Sequence, residues 1–254
     1  MAANEPGQPS LTTSWSRDHD VPSSALAVGA HPDDVEFGAG GTLAKWAASG
    51  CVVHHLICTD GSKGTWDVGA DLTALVTRRR EEQREAGRRL AGANAGEVRF
   101  LGAIDGDLRA DRSTVSDVAR IIRELRPDVV LGHDPWKRYR LHPDHRHAGF
   151  LVCDAIVAAR DPHFFPEHGL PHHRPAALFL WEADAPNHVE DVSAFVDAKL
   201  AALEAHESQF ETTMHAADAS ELGTFRDRIR SRVAEHGVPH GVDAAELFAR
   251  VTDL

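Results

Sequence analysis

Five short apolar runs, at 25–30, 52–59, 98–101, 128–132 and 177–181, alternate with stretches of helical periodicity at about 40–49, 72–90, 113–125, 144–160 and 192–206. Parallel strands require a long crossover between them, and a helix is the usual one. The alternation therefore predicts an α/β, Rossmann-like fold: a mainly parallel, twisted sheet with helices on both faces. In such an open sheet, ligands bind outside the carboxyl ends of the strands where strand order reverses. In a doubly wound order, the first and fourth runs are neighbours at that point.

The remaining segments attach to this frame. Residues 1–22 lack an apolar signal core and are expected to form a flexible arm. Residues 23–254 then make a single domain. The stretch DPHFFPEHGLPHHRPA (161–176) is too broken for a helix and is expected to be a long loop. From about 210 the chain turns polar. It is expected to end in a helical appendage, with Arg226, Arg228, Arg230 and Arg232 on a solvated face.

Charge and cysteine content exclude several functions. The net charge of −12 argues against a nucleic-acid or anionic-membrane binder. No apolar run approaches the ~20 residues that span a bilayer. Cys51, Cys58 and Cys153 are scattered in apolar runs without a CxxC pair, which suits buried small hydrophobes in a reducing cytoplasm. Self-association of the chain is compatible with all of this.

The polar residues that end the first and fourth runs carry the chemistry. The first run stops in His31, Pro32, Asp33 and Asp34; the fourth leads into His142, Pro143, Asp144 and His145. If both clusters face one cleft, His31, Asp34 and His145 form a two-histidine, one-carboxylate set. Such a set suits Zn2+ with one position left for water, and equally suits Fe2+ or another divalent ion. Asp33, beside the ligand Asp34, would accept the proton of that water. Asp60, Lys63 and Asp105 follow the second and third runs on the same edge, where turn capping is an equal alternative. Gly38, Gly40 and Gly41 lack the GxGxxG spacing of a dinucleotide loop and suit a tight helix start or close backbone approach to a ligand. Trp66 and Trp136 would either stack on a sugar face or pack their loops.

The ordered series AHPDD, CTDGSKG (58–64), RREEQREAGRRL (79–90), FLGAIDGDL (100–108) and HPDH resembles the LmbE/PIG-L family of metal-dependent N-acetyl-sugar deacetylases. Mycothiol-type GlcNAc-inositol deacetylases are among its members. The likeness spans about residues 24–210. It implies zinc on His31, Asp34 and His145, Asp33 as general base, and His142 as a donor to the tetrahedral oxyanion. It also implies that Asp144 orients a histidine and that Arg79 meets the substrate. Some relatives carry a tyrosine two residues before the HPDH histidine, where this chain has Arg140 next to Tyr139, so Arg140 is a further substrate-binding candidate. The function implied is hydrolysis of the N-acetyl amide of an amino sugar or GlcNAc-type glycoconjugate. An amidase for bulkier N-acyl or thiol conjugates and a non-catalytic metal- or sugar-binding protein are the alternatives. The proton for the leaving amine would come from Asp33, or from His142 if that residue is cationic.

Overall fold

In a computed structural model, which describes residues 15–254, strand β2 (Ser24–Gly29) is buried on both sides. Ala25 and Ala27 join one core and Leu26 and Val28 the other. Period-two alternation between two apolar faces produces an unbroken apolar run, as expected of a parallel strand covered twice. Helices α1 (Asp34–Ala48), α2 (Leu72–Ala91) and α5 (Val196–Leu203) cover the first face through Leu43, Trp46, Leu90 and Ala202. Helices α3 (Arg112–Leu125) and α4 (Pro143–Arg160) cover the second through Ile122, Leu151 and Val152.

The other strands are β1 (Ser16–Arg17), β3 (Val52–Thr59), β4 (Ala95–Ala103), β5 (Val129–His133), β6 (Ala177–Trp181), β7 (His188–Asp191) and β8 (Ala245–Val251), and the sheet order is β1-β7-β8-β6-β5-β2-β3-β4. Only β8 runs antiparallel to its neighbours. Strands β2 and β5 pair in parallel, Ala25 opposite Val129 and Val28 opposite Gly132. They are the first and fourth of the expected runs, and strand order reverses between them.

Three expectations change. Residues 16 and 17 of the supposed arm pair with β7, while residues 1–14 lie outside the described part. The C-terminal segment is not an appendage, because β8 lies inside the sheet between β6 and β7. The helix expected there is longer, α6 (Ala219–Gly237); Arg228, Arg230 and Arg232 lie on its solvated face, and Arg226 pairs with Glu204, Arg230 with Asp197 and Arg232 with Glu182.

Helix α1 also begins earlier than expected, and Ala39 (φ −143°, ψ 15°) breaks it in the middle. The break frees the amides of Gly41 and Thr42, and Glu246 of β8 accepts both, at 3.0 and 2.8 Å. The glycines serve packing, since a Cβ on Gly38 would meet the Trp181 ring at 2.5 Å and one on Gly41 would meet Val192 at 2.8 Å. Close packing of the helix against its neighbours accounts for them, and Gly38 also borders the cleft at the sheet edge.

The far edge of the sheet is held by a buried charge. Glu190 of β7 accepts from His188 Nε2 (2.8 Å), the amide of His19 (2.7 Å) and Lys45 Nζ (2.7 Å). Burial opposes its ionisation, but the bonds from His188 and Lys45 prevail and hold it below the ordinary 4.5 of a glutamate. Glu190→Leu leaves Lys45 with Asp18 and His188 with Ser16 but removes the acceptor of the His19 amide, and should lower the unfolding free energy by about 1–3 kcal/mol, measured by denaturant titration at pH 7. A depressed folded pKa stabilises above the unfolded value and is lost as pH falls through the folded one. The gap between wild type and variant should therefore be full above about pH 4.5 and close in stronger acid.

Candidate active site

Because β2 and β5 lie side by side, the turn after β2 and the N-terminus of α4 meet over the sheet edge. Helix α4 starts with His142 as N-cap and Pro143 in its first turn, which aims Asp144 and His145 back toward His31. His31 Nδ1 lies 3.2 Å from His145 Nε2 and 3.4 Å from Asp34 Oδ2, and His145 Nε2 lies 3.3 Å from Asp34 Oδ1. Ligands on a tetrahedral zinc at about 2.0–2.1 Å stand roughly 3.3 Å apart. The three side chains are thus spaced for a small divalent cation, with Asp34 turning a different oxygen toward each histidine.

The neighbouring groups decide which atoms face inward. His31 Nε2 lies 3.1 Å from Asp144 Oδ2 and 3.3 Å from Asp105 Oδ1, which can only accept, so this nitrogen donates and Nδ1 is left for the centre. Asp144 is itself held by the amides of Gly106 (2.6 Å) and Leu108 (3.1 Å). Burial disfavours a charged His31, yet bonds to Asp105, Asp144 and Asp34 outweigh it and raise its pKa well above the histidine range. That is the electrostatic signature of a site built for a cation. Burial and nearby positive charges from His133, His31 and Arg140 press His145 down to about 4, against the attraction of Asp34, so this ring is neutral. Asp34 is held well below the carboxylate range despite its burial, by His145 and His133.

His133, at the end of β5, is a site residue that the sequence analysis passed over. Trp181 Nε1 donates to its Nδ1 at 3.0 Å, and an indole cannot accept. Its Nε2 lies 3.2 Å from Asp34 Oδ2 and 3.4 Å from the Ala30 amide. His133 thus stands beside Asp34, whose Oδ2 also accepts from the His31 amide at 2.7 Å, and with Asp34 and His145 it forms a second group that could hold a metal ion. The available signal was its position: like His31, it is a histidine closing an apolar strand at the switch point.

Asp33 is buried beside the centre with φ 101° and ψ −26°. Burial raises its pKa to about 6; Arg79 pulls it down and the charge of Asp34 pushes it up. Arg79 is 3% exposed, donates to Gly61 O (2.7 Å) and Pro32 O (2.8 Å), and lies 3.6 Å from Asp33 Oδ2. It borders the cleft but its donors mainly brace the Pro32–Asp33 turn. His142 is exposed, its ring centre 4.6 Å from that of His31, and burial together with the charge of His31 lowers its pKa.

Arg140 does not face the cleft. Its guanidinium lies 2.9 Å from His145 Nδ1 and 3.3 Å from His133 Nδ1 and pairs with Glu182, so it packs behind the two histidines. Tyr139 is 92% exposed and also takes no part. Asp60 caps its turn through the Ser62 and Asp105 amides, whereas Asp105 touches His31. Trp136 packs edge-on against Phe150, and Trp66 is exposed. The cleft holds about 610 Å³ and extends past Lys63, Gln209, Thr213, Arg228 and Arg232.

A cleft at the switch point with a two-histidine, one-carboxylate set and a buried carboxylate beside it defines a hydrolase-type centre of the metal-assisted kind. The chain belongs to the family described as PIG-L: GlcNAc-PI de-N-acetylase, whose model matches residues 26–156. It is 38% identical over 188 residues to the diacetylchitobiose deacetylase of Thermococcus kodakarensis, covering 73% of this chain and 69% of that one. It is also similar to the 4-oxalmesaconate hydratase of Pseudomonas putida, at 28% identity over 91% of both chains. The fold matches that of the N,N'-diacetylchitobiose deacetylase from Pyrococcus horikoshii in complex with an inhibitor. That match has a TM-score of 0.81 and 29% identity, covering 91% of this chain and 84% of that one.

His133→Leu should leave the chain folded, by its circular dichroism, and weaken divalent-metal binding about 10–100-fold in competition with a chelator, because Asp34 loses the imidazole beside it.

Proposed function

We propose that this chain is a zinc-dependent hydrolase that removes the N-acetyl group from a GlcNAc-type amino sugar. The observation that carries the proposal is that the His31 and His145 ring nitrogens lie 3.2 Å apart and each lies 3.3–3.4 Å from an oxygen of the Asp34 carboxylate, with the buried Asp33 carboxyl next to Asp34. His31, Asp34 and His145 would hold the ion, with Fe2+ as the other candidate. A bound divalent ion supplies Lewis-acid polarisation of the amide carbonyl and of water.

Asp33 does the proton work. A carboxyl displaced to about 6 is ionised at neutral pH and still basic enough to take a proton from attacking water. The same group then carries that proton to the departing amine nitrogen. His142 is the weaker donor to the amine, because burial and the charge of His31 disfavour its cationic form. As a neutral ring at the cleft it serves as an N–H donor to the oxyanion that develops on the former carbonyl oxygen. Arg79 keeps Asp33 in place, and Asp105 and Asp144 keep His31 in place. Lys63, Gln209 and Arg228 line the part of the cleft that a sugar or its aglycone would fill.

A second reading, addition of water to an unsaturated carboxylate, is favoured by the extent of the match to the Pseudomonas hydratase and by Arg228, which has no carboxylate partner among the described residues. The higher identity to the Thermococcus deacetylase supports amide hydrolysis instead. The zinc-loaded chain should release acetate from N,N'-diacetylchitobiose or another N-acetylglucosamine conjugate and leave 4-oxalmesaconate unchanged. Asp33→Ala should keep one zinc per chain and lose about 10²–10⁴ in kcat, whereas His31→Ala should lose the zinc. Amide cleavage by Asp33→Ala at the wild-type rate contradicts the mechanism. An amine-release screen over N-acylated sugars and bulkier conjugates identifies the substrate, and zinc binding without turnover of any of them would mark a binding protein.

A further inference from the structure

Asp33 has an uncommon backbone. Of the seven non-glycine residues with positive φ among the described residues, six lie between 45° and 58°, near the left-handed helical minimum, whereas Asp33 stands at 101°. A non-glycine residue so far from that minimum carries strain on the order of 1–3 kcal/mol and persists only where its surroundings over-determine it.

The surroundings include a buried amide that the proposed chemistry leaves unused. Gln83 of α2 is fully buried and its Oε1 accepts from the Asp33 amide at 3.1 Å. A backbone N–H can only donate, so this bond fixes which end of the Gln83 amide faces Asp33. Its Nε2 then points away and donates to Glu36 Oε1 (2.7 Å) and to His55 Nδ1 (3.1 Å). Both hydrogens of Nε2 are used, and neither can be exchanged without breaking the bond to Asp33. Glu36 and His55 are buried, and His206 Nε2 lies 3.3 Å from Glu36 Oε2. None of these four side chains borders the cleft.

We propose that Gln83 is the positioning residue of the catalytic base: anchored by Glu36 and His55, it holds the Asp33 backbone in its strained conformation and so aims the carboxylate into the cleft. The inference rests on Asp33 as the base proposed above. Arg79 restrains the carbonyl side of the same turn through Pro32 O, and Gln83 restrains the amide side. Loss of Gln83 lets the residue relax toward φ near 57° and swings the carboxylate away from the attacking water. A displacement of about 1 Å at a reacting group is enough for a rate loss approaching 10²-fold.

Gln83→Met preserves volume and helix propensity and removes both ends of the bridge. The folded variant should bind one zinc per chain with wild-type affinity, keep KM within threefold and lose 10–100-fold in kcat. A kcat within threefold of wild type, a loss confined to KM, or a loss that tracks zinc content overturns the proposal. Gln83→Asn retracts the amide by one methylene with less risk to folding, and should lie between wild type and Gln83→Met in kcat. Amide exchange tests the same bond without any substrate: the Asp33 N–H should exchange slowly in the wild-type chain and at least tenfold faster in either variant. If exchange responds as expected while the wild type cleaves no N-acetyl sugar, the bridge stands and the deacetylase function fails. If exchange at Asp33 is unchanged, the bridge itself is wrong.

Discussion

The parallel pairing of β2 with β5 is the constraint on which the rest of the molecule depends. Its register puts Val28 opposite Gly132, so both strands end at one level and the segments leaving them overlap. Two polar clusters more than a hundred residues apart are thereby brought within hydrogen-bonding distance, His31 to Asp144 at 3.1 Å and His31 to His145 at 3.2 Å. Burial of both strands on two faces pins the register, because a slip of one residue would turn every apolar side chain to the wrong core. The geometry of the centre is thus a property of the sheet.

Four carboxylates converge there, and the distribution of donors among them sets their roles. Asp34 accepts from the His31 amide and faces His133, Asp144 accepts from two amides, and Asp105 accepts from the Lys63 amide. The Asp33 carboxyl has only Arg79, at 3.6 Å, among the described residues. The three well-provided groups stay ionised and organise cations. The poorly provided one is raised to about 6 and is left free to exchange a proton.

Much of this was legible in the sequence because the strands that carry the site are parallel, doubly buried and therefore continuously apolar. The runs at 52–59 and 177–181 have the boundaries that periodicity gives them. Strands β7 and β8 were missed for a physical reason: each carries a buried glutamate, Glu190 or Glu246, that reads as surface. Those charges are neutralised by Lys45 and Lys199, whose proximity no local pattern reveals. Helix α1 was expected to start only at about Gly40 because the glycines read as a tight helix start, whereas Gly38 and Gly41 lie inside the helix and let it pack against Trp181 and Val192. In the site, HPDD and HPDH were readable as two halves of one constellation. Arg140 was misassigned to the substrate because its orientation depends on Glu182, and His133 and Gln83 act only through contacts across the fold.

X-ray absorption at the zinc edge of the reconstituted chain bears most directly on the centre. The proposed assignment calls for one zinc per chain with two imidazole nitrogens and one carboxylate oxygen among its neighbours. His31→Ala should abolish that signal, and His133→Leu should keep the same neighbours. A spectrum with three imidazoles, with sulfur, or unchanged in His31→Ala would contradict the assignment of His31, Asp34 and His145 as the metal-binding set.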